Sequence, residues 1–375
     1  MYKTFRFRLY PNVNQIILIN KTFGCYRFIY NYFLNICKDN GYRCAFDMIK
    51  EIPSLKKEFE WLKEIDSCSL RCALFNLEDA YKNFFSKKSK HPTFKSKFNK
   101  QTYRTNYITS EYKGKKYSNI ELDLTNKKIK LPKIGLVDIR GYRNLDVING
   151  KIINVTVVKE TTGKYYVNVL YNVVDIIKEK VKPKSIVGID LGVKDLVVTS
   201  NGKKYKNPKE IERYEKRIKR LQRKLTRQIK GSNNYNKTKI KISKLFSKLK
   251  NSRRHNIIKI VNKLINEYDV IISEKLDVKR MTSKHTLAKS ILDASFGKVC
   301  SMLEWKSKIK GKYYYQVDTY FPSSKTCSHC SKKTEITNNL EIRKWECSKC
   351  HSINDRDINA SINIMFEGLK YCFDK

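Results

Sequence analysis

Two cysteine pairs near the C-terminal end restrict this chain more than any other feature. Cys327-Ser328-His329-Cys330 and Cys347-Ser348-Lys349-Cys350 stand sixteen residues apart. Each C-x-x-C pair supplies two sulfurs to one tetrahedron, and a short β-hairpin brings the pairs together, which is the spacing of a four-thiolate zinc site. Catalytic zinc keeps an open coordination position, whereas four thiolates close the shell. The expected single Zn²⁺ therefore stabilises a small fold rather than acting on a substrate. His329 and His351 flank the knuckles as bystanders, since four Cys already complete the set. The remaining seven of the 11 Cys are scattered, a usage that in a reducing compartment means free thiols rather than disulfides.

A chain of 375 residues is longer than a single core supports, so two or three packed units are expected. Lys and Arg number 79 against 36 acids, a formal charge of +43, and so basic a protein repels itself unless a polyanion neutralises it. The cations run from Lys3 to Lys375 instead of gathering in one tail or one amphipathic helix, which points to nucleic acid and away from a membrane surface. No run approaches the roughly 18 apolar residues of a membrane span, and Met1-Tyr2-Lys3 opens no signal segment. A cytoplasmic location is expected. Many of the 24 Tyr adjoin Lys or Arg; some can stack on bases while most pack the core.

Along the chain, Phe5-Arg6-Phe7-Arg8-Leu9-Tyr10 alternates apolar with basic as a half-buried strand does, and Pro11-Asn12 ends it. Apolar positions at helical spacing follow from about Gln15 to Cys37 and again from about Cys68 to Phe85. Short runs between Thr102 and Val174, punctuated by Gly114, Gly135 and Gly163, predict a β-barrel or sheet. Glu210 to Tyr268 predicts a basic helical hairpin broken near Gly231-Ser232-Asn233-Asn234, with cations suited to phosphate contact.

Three acids stand where acids are costly. Ser185-Ile186-Val187-Gly188-Ile189-Asp190 is a buried-strand pattern ending in a carboxylate, and Val270-Ile271-Ile272-Ser273-Glu274 repeats it. A third site is the helix start Asn354-Asp355-Arg356-Asp357-Ile358-Asn359-Ala360. A carboxylate on an interior strand needs a cation or hydrogen bonds to offset its desolvation. Converging, the three could hold two divalent ions for phosphodiester cleavage. Taken singly, each also has a plain reading: a strand-end turn for Asp190, a surface ion pair for Glu274, a helix N-cap for Asp355 or Asp357.

Taken in order, Gly188-Ile189-Asp190-Leu191-Gly192, Ile272-Ser273-Glu274-Lys275-Leu276, Phe321-Pro322-Ser323-Ser324-Lys325-Thr326-Cys327, the second Cys pair and Asp355-Arg356-Asp357-Ile358-Asn359-Ala360 resemble the TnpB (OrfB) family. The N-terminal stretches Phe7-Arg8-Leu9-Tyr10-Pro11-Asn12 and Gly24-Cys25-Tyr26-Arg27-Phe28-Ile29-Tyr30-Asn31 look like that family's opening, so the resemblance spans nearly the whole chain. It implies a multidomain α+β fold: a wedge-like β-barrel over 1–45 and 101–182 and a helical recognition segment over 46–100. An RNase H-like (RuvC) nuclease core would cover 183–322 and 353–375, including the hairpin at 209–268, with an inserted zinc ribbon at 323–352. Asp190, Glu274 and Asp357 match the family's catalytic, Mg²⁺-binding positions, Asp357 being the acid that directly precedes the x-Asn-Ala segment. Two Mg²⁺, one Zn²⁺, a guide RNA from the transposon end and target double-stranded DNA, cut beside a short flanking motif, complete the implication. So does association with the nucleoid of a prokaryotic host.

Arg6, Arg8 and Tyr10 on the opening strand, Ser69 and Asn76, and Gln101, Tyr103, Arg104 and Thr105 offer groups suited to nucleic acid, the last six to base edges of the flanking motif. Their alternative role is packing. Where the family often has Gly after each second knuckle Cys, Ser331 and His351 stand here, at turns whose left-handed backbone favours Gly. Two rivals share these features: a guided DNA-binding protein without cleavage, which would not need all three acids, and a miniature type V CRISPR effector, which would use a repeat-derived RNA. A transposase proper would need strand joining as well, and nothing in the chain uniquely supplies it.

Overall fold

β1 (Tyr2–Tyr10) shows how this sequence makes structure. Its alternation buries Phe5, Phe7 and Leu9 and turns Arg6 and Arg8 to the other face, where both guanidinium groups lie over the Tyr166 ring at 3.9 and 5.3 Å. Asn12 then caps α1 (Val13–Asp39) in a reciprocal box with Gln15, each side chain accepting the other's backbone N–H. α2 (Ala45–Glu58), a 3-10 turn at Glu60–Glu64 and α3 (Ser67–Phe85) follow. Next come β2 (Gln101–Asn106), β3 (Thr109–Tyr112), β4 (Lys115–Ser118), β5 (Glu121–Asp123), β6 (Lys128–Leu131), β7 (Gly135–Arg140), β8 (Gly150–Lys159) and β9 (Tyr165–Val173). The computed structural model describes residues 1–112, 114–141, 150–173, 178–283, 285–335 and 342–373. It divides into two units, Met1–Asp175 and Ile176–Lys375.

In the first unit seven strands pair antiparallel in the order β2-β8-β9-β1-β7-β6-β5, with β3 and β4 as a separate pair. Among the described residues no ladder joins the outer strands β2 and β5, so the seven described strands form a sheet and closure into the wedge-like barrel is not found. Alternation specifies which face of a strand is buried, whereas closure depends on how the two edges pair. Residues 142–149 of the expected strand-rich region lie outside the described residues. The helices and strands share one apolar core, in which Phe23, Phe33, Leu70 and Leu74 join Phe5, Val157 and Val167.

The second unit begins with β10 (Ile186–Asp190), β11 (Asp195–Thr199) and β12 (Lys204–Lys206). α4 (Glu210–Thr226) and α5 (Asn233–Glu267) form the basic hairpin, with the Glu210 carboxylate accepting from Ser252 (2.7 Å) and Asn256 (2.8 Å). β13 (Val270–Glu274), α6 (Val278–Ser283), α7 (His285–Ala294), α8 (Phe296–Lys310) and β14 (Tyr313–Val317) follow. The chain ends with β15 (Lys344–Glu346), β16 (Ile353–Asp355) and α9 (Arg356–Phe373).

Five strands make the central sheet, in the order β12-β11-β10-β13-β14; β10, β13 and β14 pair parallel, and β11 pairs antiparallel with both β10 and β12. β13 is apolar on both faces because both are covered: Ile271 packs with Val261 and Leu264 of α5 and Val299 of α8, while Val270 and Ile272 pack with Ile364 of α9. α9 lies close on the sheet at two glycines. A Cβ on Gly188 would sit 2.1 Å from the Ser361 carbonyl oxygen, and one on Gly368 2.3 Å from Ile272 Cγ2. Among the described residues no helix is long and apolar enough to cross a membrane.

Candidate active site and metal centre

Parallel pairing of β10 with β13 sets Ile189 opposite Ser273. The next residues, Asp190 and Glu274, therefore stand side by side at the carboxyl ends of adjacent strands. Close approach of α9 at Gly188 brings the first turn of that helix, with Asp357, to the same end. Burial, and then the negative charges of Glu274 and Asp357, push the Asp190 carboxyl up to about 7. Burial also raises Glu274, against the opposing hydrogen bond that the Ser323 hydroxyl donates to its Oε1 at 3.0 Å. Asp357 faces the Arg343 guanidinium at 3.3 Å.

Asp355 does different work. Its Oδ1 accepts the N–H groups of Asp357 and Ile358, each at 3.2 Å, and its Oδ2 takes the Lys204 ammonium at 2.7 Å. Burial, which would raise this carboxyl, is outweighed by Lys204 and the amides, and it stays below the usual carboxylate range. Asp355 is thus the helix cap, and Asp357 is the neighbour whose charge reaches Asp190. Asp190 and Glu274, both of raised pKa, with the charge of Asp357 acting on Asp190, form a donor set suited to a hard divalent cation, which would relieve both desolvation and repulsion.

The two C-x-x-C knuckles repeat one another in backbone detail. The Cys327 N–H donates to Lys332 O and the Ser331 N–H to Cys327 O; the Cys347 N–H donates to Ser352 O and the His351 N–H to Cys347 O, all at 2.9 Å. Ser331 and His351 take left-handed backbone, φ 59° and 55°, the conformation for which Gly is the usual residue. The knuckle turn is therefore made without Gly at a strain cost. β15 and β16 pair antiparallel across the second knuckle. All four sulfurs lie within 4.8 Å of one another, with Cys327 to Cys350 at 3.7 Å and Cys330 to Cys347 at 3.5 Å. Zn–S bonds of about 2.3 Å in a tetrahedron set sulfurs about 3.8 Å apart, so the cluster fits one zinc ion. The Ser352 hydroxyl lies 3.5 Å from the Cys327 sulfur and 3.2 Å from that of Cys350.

The residues expected to touch nucleic acid from the first unit are placed unevenly. Ser69 and Thr105 are fully buried and Tyr103 is 2% exposed. Thr105 and the backbone of Ser69 bond the Asp66 carboxylate that caps α3, and the Ser69 hydroxyl bonds the Asp66 carbonyl at 2.6 Å. Tyr103 sets its ring edge to Phe23. These three face inward, because a strand's alternation and a helix's cap both turn small polar groups toward the structure they close. Asn76 donates to the Tyr26 hydroxyl, and Gln101 bonds the Lys97 and Asn99 carbonyls. Arg6 pairs with Glu160 at 2.5 Å. Tyr10 is 47% exposed, and among the described residues Arg8 and Arg104 each keep a buried Nε without a hydrogen-bond partner. In the second unit Lys216, Lys219, Arg220, Arg223, Lys224 and Arg227 line an open groove along α4.

Family models match three stretches of the chain. Residues 1–43 match a helix-turn-helix domain of OrfB proteins, 159–285 an OrfB family described as "Probable transposase", and 296–364 the TNB domain of Cas12f1-like proteins. In the structure the first stretch is β1 and α1, a strand and one long helix. Over 98% of its length the chain is 31% identical to a protein of Streptomyces pristinaespiralis that carries the name RNA-guided DNA endonuclease, spanning 89% of it. It is 30% identical, again over 98% of its length, to RNA-guided DNA endonuclease InsQ of Escherichia coli (strain K12), spanning 92% of that protein. The chain belongs to the TnpB (OrfB) family. Its fold is also similar to that of Cas12f1 in a cryo-EM structure with sgRNA and target DNA, with a TM-score of 0.60, 14% identity, and coverage of 97% of this chain and 98% of the other.

Three contacts of this TnpB-family chain were not assigned a role from sequence: Ser323 on Glu274, Arg343 on Asp357, and Lys204 on Asp355. Ser323 lies within the Phe321–Cys327 motif, so its position was marked although its partner was not. Arg343 and Lys204 carried no signal in a chain with 79 cations.

Proposed function

We propose that this chain is an RNA-guided DNA endonuclease: a guide RNA from the transposon end selects target double-stranded DNA by base pairing, and the protein cuts it beside a short flanking motif. The observation that carries this reading is the gathering of Asp190, Glu274 and Asp357 at the carboxyl ends of two neighbouring strands of a mixed sheet in a chain of charge +43. The family names and the likeness to Cas12f1 support it. In this reading the central sheet with α9 is the RNase H-like (RuvC) core, the first unit is the wedge-like domain with its helical recognition segment, and the knuckles form the zinc ribbon.

Asp190, Glu274 and Asp357 would hold two Mg²⁺. When bound, those ions would supply an activated water and charge stabilisation at the leaving oxygen, the chemistry that leaves 3′-hydroxyl and 5′-phosphate ends. The protein's own part is to hold three carboxylates together against their repulsion. Asp190, whose carboxyl lies near neutrality, is the group whose proton must leave before a cation is taken up. The α4 groove would supply phosphate contacts, and separately, in the first unit, the exposed Tyr10 would offer a ring to bases.

The test is expression with the native flanking DNA, sequencing of the RNA that copurifies, and a cleavage screen of wild type and Asp190→Ala. A discrete RNA from the end of the gene, with cleavage lost and RNA retained in the variant, is the expected result. A repeat-spacer RNA would make the chain a miniature type V effector. Cleavage by Asp190→Ala would remove the assignment of the acids, and absence of any enriched RNA would remove the guided mechanism.

A further inference from the structure

One four-residue stretch, Ser323 to Thr326, touches the acid cluster, α9 and the zinc knuckle together. It opens with a 3-10 turn, Ser323–Lys325, directly before the zinc ligand Cys327. Ser323 is buried, and its hydroxyl donates to Glu274 Oε1 at 3.0 Å. Its carbonyl accepts from the Asn363 amide at 2.8 Å. The same Asn363 amide reaches the Thr326 carbonyl at 2.6 Å, which also accepts from Asn359 at 2.7 Å. Asn359 Oδ1 accepts the N–H of Ser328, inside the knuckle, at 2.8 Å.

Asn359 and Asn363 stand four apart on α9, hence on one face, and both are buried. Amides so placed cost desolvation unless their partners are fixed. Here they satisfy two carbonyls that secondary structure leaves unpaired. α9 also carries Asp357, two residues before Asn359. The helix bearing one acid is thus bolted to the segment whose hydroxyl orients another.

We propose that Ser323 is a positioning residue for Glu274, held in place by Asn359 and Asn363 of α9 so that the zinc knuckle and the three acids form one rigid assembly. This rests on the nuclease reading. A hydroxyl that fixes one rotamer of a metal-binding carboxylate acts on metal affinity, and loss of such a partner typically weakens binding about 10- to 100-fold. A side chain that merely fills space would leave that affinity alone.

The test is Mn²⁺ binding to the full-length chain with its copurified RNA, by the EPR signal of free Mn²⁺, together with zinc content by atomic emission. Ser323→Ala should bind Mn²⁺ at least about tenfold more weakly with one zinc per chain retained. Ser323→Val and Ser323→Thr have the same shape and differ only in the hydroxyl: Val should show the loss and Thr should restore binding. Asp190→Ala should abolish the tight uptake. Wild-type affinity in both Ser323→Ala and Ser323→Val, with Asp190→Ala deficient, would overturn the positioning role and leave the nuclease reading standing. So would failure of Ser323→Thr to restore what Ser323→Val loses. Tight uptake in Asp190→Ala would overturn the nuclease reading itself.

Discussion

Asp190→Asn should destroy cleavage and, without divalent cation, make the protein more stable. The carboxyl moves from 3.8 to about 7 in the folded chain. At ~1.4 kcal/mol per unit this gives an upper bound of ~4 kcal/mol against ionised Asp190. The residue is only half-buried, so about half, ~2 kcal/mol, is expected in practice. The sign follows from linkage. The unfolded chain ionises this group near pH 3.8, while the folded chain keeps the proton until about 7, so the wild type loses stability as pH rises between those values. The amide has no such slope. Its advantage should therefore be greatest at pH 8 and less than half as large at pH 5. Thermal unfolding in a zinc-replete buffer free of Mg²⁺ measures it, at ~2–4 °C per kcal/mol for a unit of this size. Added Mg²⁺ should reverse the order, because only the wild type gains from binding, by ~2.7 kcal/mol at a hundred times the dissociation constant. An equal advantage at both pH values, or none at either, would refute the reasoning that Asp190 is held against burial and like charge.

Ser331→Gly and His351→Gly should each stabilise the ribbon by about 0.5–1 kcal/mol by relieving left-handed strain, seen as slower zinc release to a chelator; the exposed His351–Glu346 contact offsets little. Gly188→Ala forces a Cβ to within 2.1 Å of the Ser361 carbonyl oxygen. It should cost about 3 kcal/mol or more, since backbone rather than a flexible side chain must move, and should raise the Mg²⁺ concentration needed for cleavage; unchanged unfolding would show that α9 is not seated as described. Arg220→Ala with Arg223→Ala should lower the dependence of nucleic-acid affinity on log salt by about 0.7–0.9 per lost phosphate contact. An unchanged slope would make that face of α4 a merely solvated one.

Local pattern made much of this molecule legible. The alternation of Phe5, Phe7 and Leu9, the helical spacing around Phe23 and Leu74, and the break at Gly231 all correspond to elements of the fold, because each depends on neighbours within a few residues. The same holds for the knuckles, whose spacing alone implied a four-sulfur cluster. It holds also for Asp190 and Glu274, each ending an apolar strand. Burial of Ser69, Tyr103 and Thr105 was not legible, since a polar side chain within an amphipathic segment has the same sequence signature whether it caps the interior or faces a ligand.

By itself the sequence therefore determined many of the element types, the four-sulfur cluster and which acids end apolar strands, while leaving each acid a plain alternative role. Only tertiary structure decided that Asp355 caps α9 while Asp357 couples to Asp190, that Ser323 meets Glu274, and that no ladder closes the first sheet among its described strands. The physical reason is range: capping, periodicity and ligand spacing are set by adjacent residues. The partner of a buried carboxylate or of a sheet edge comes from residues 49 apart, as for Glu274 and Ser323, or more, and chain folding alone brings those together.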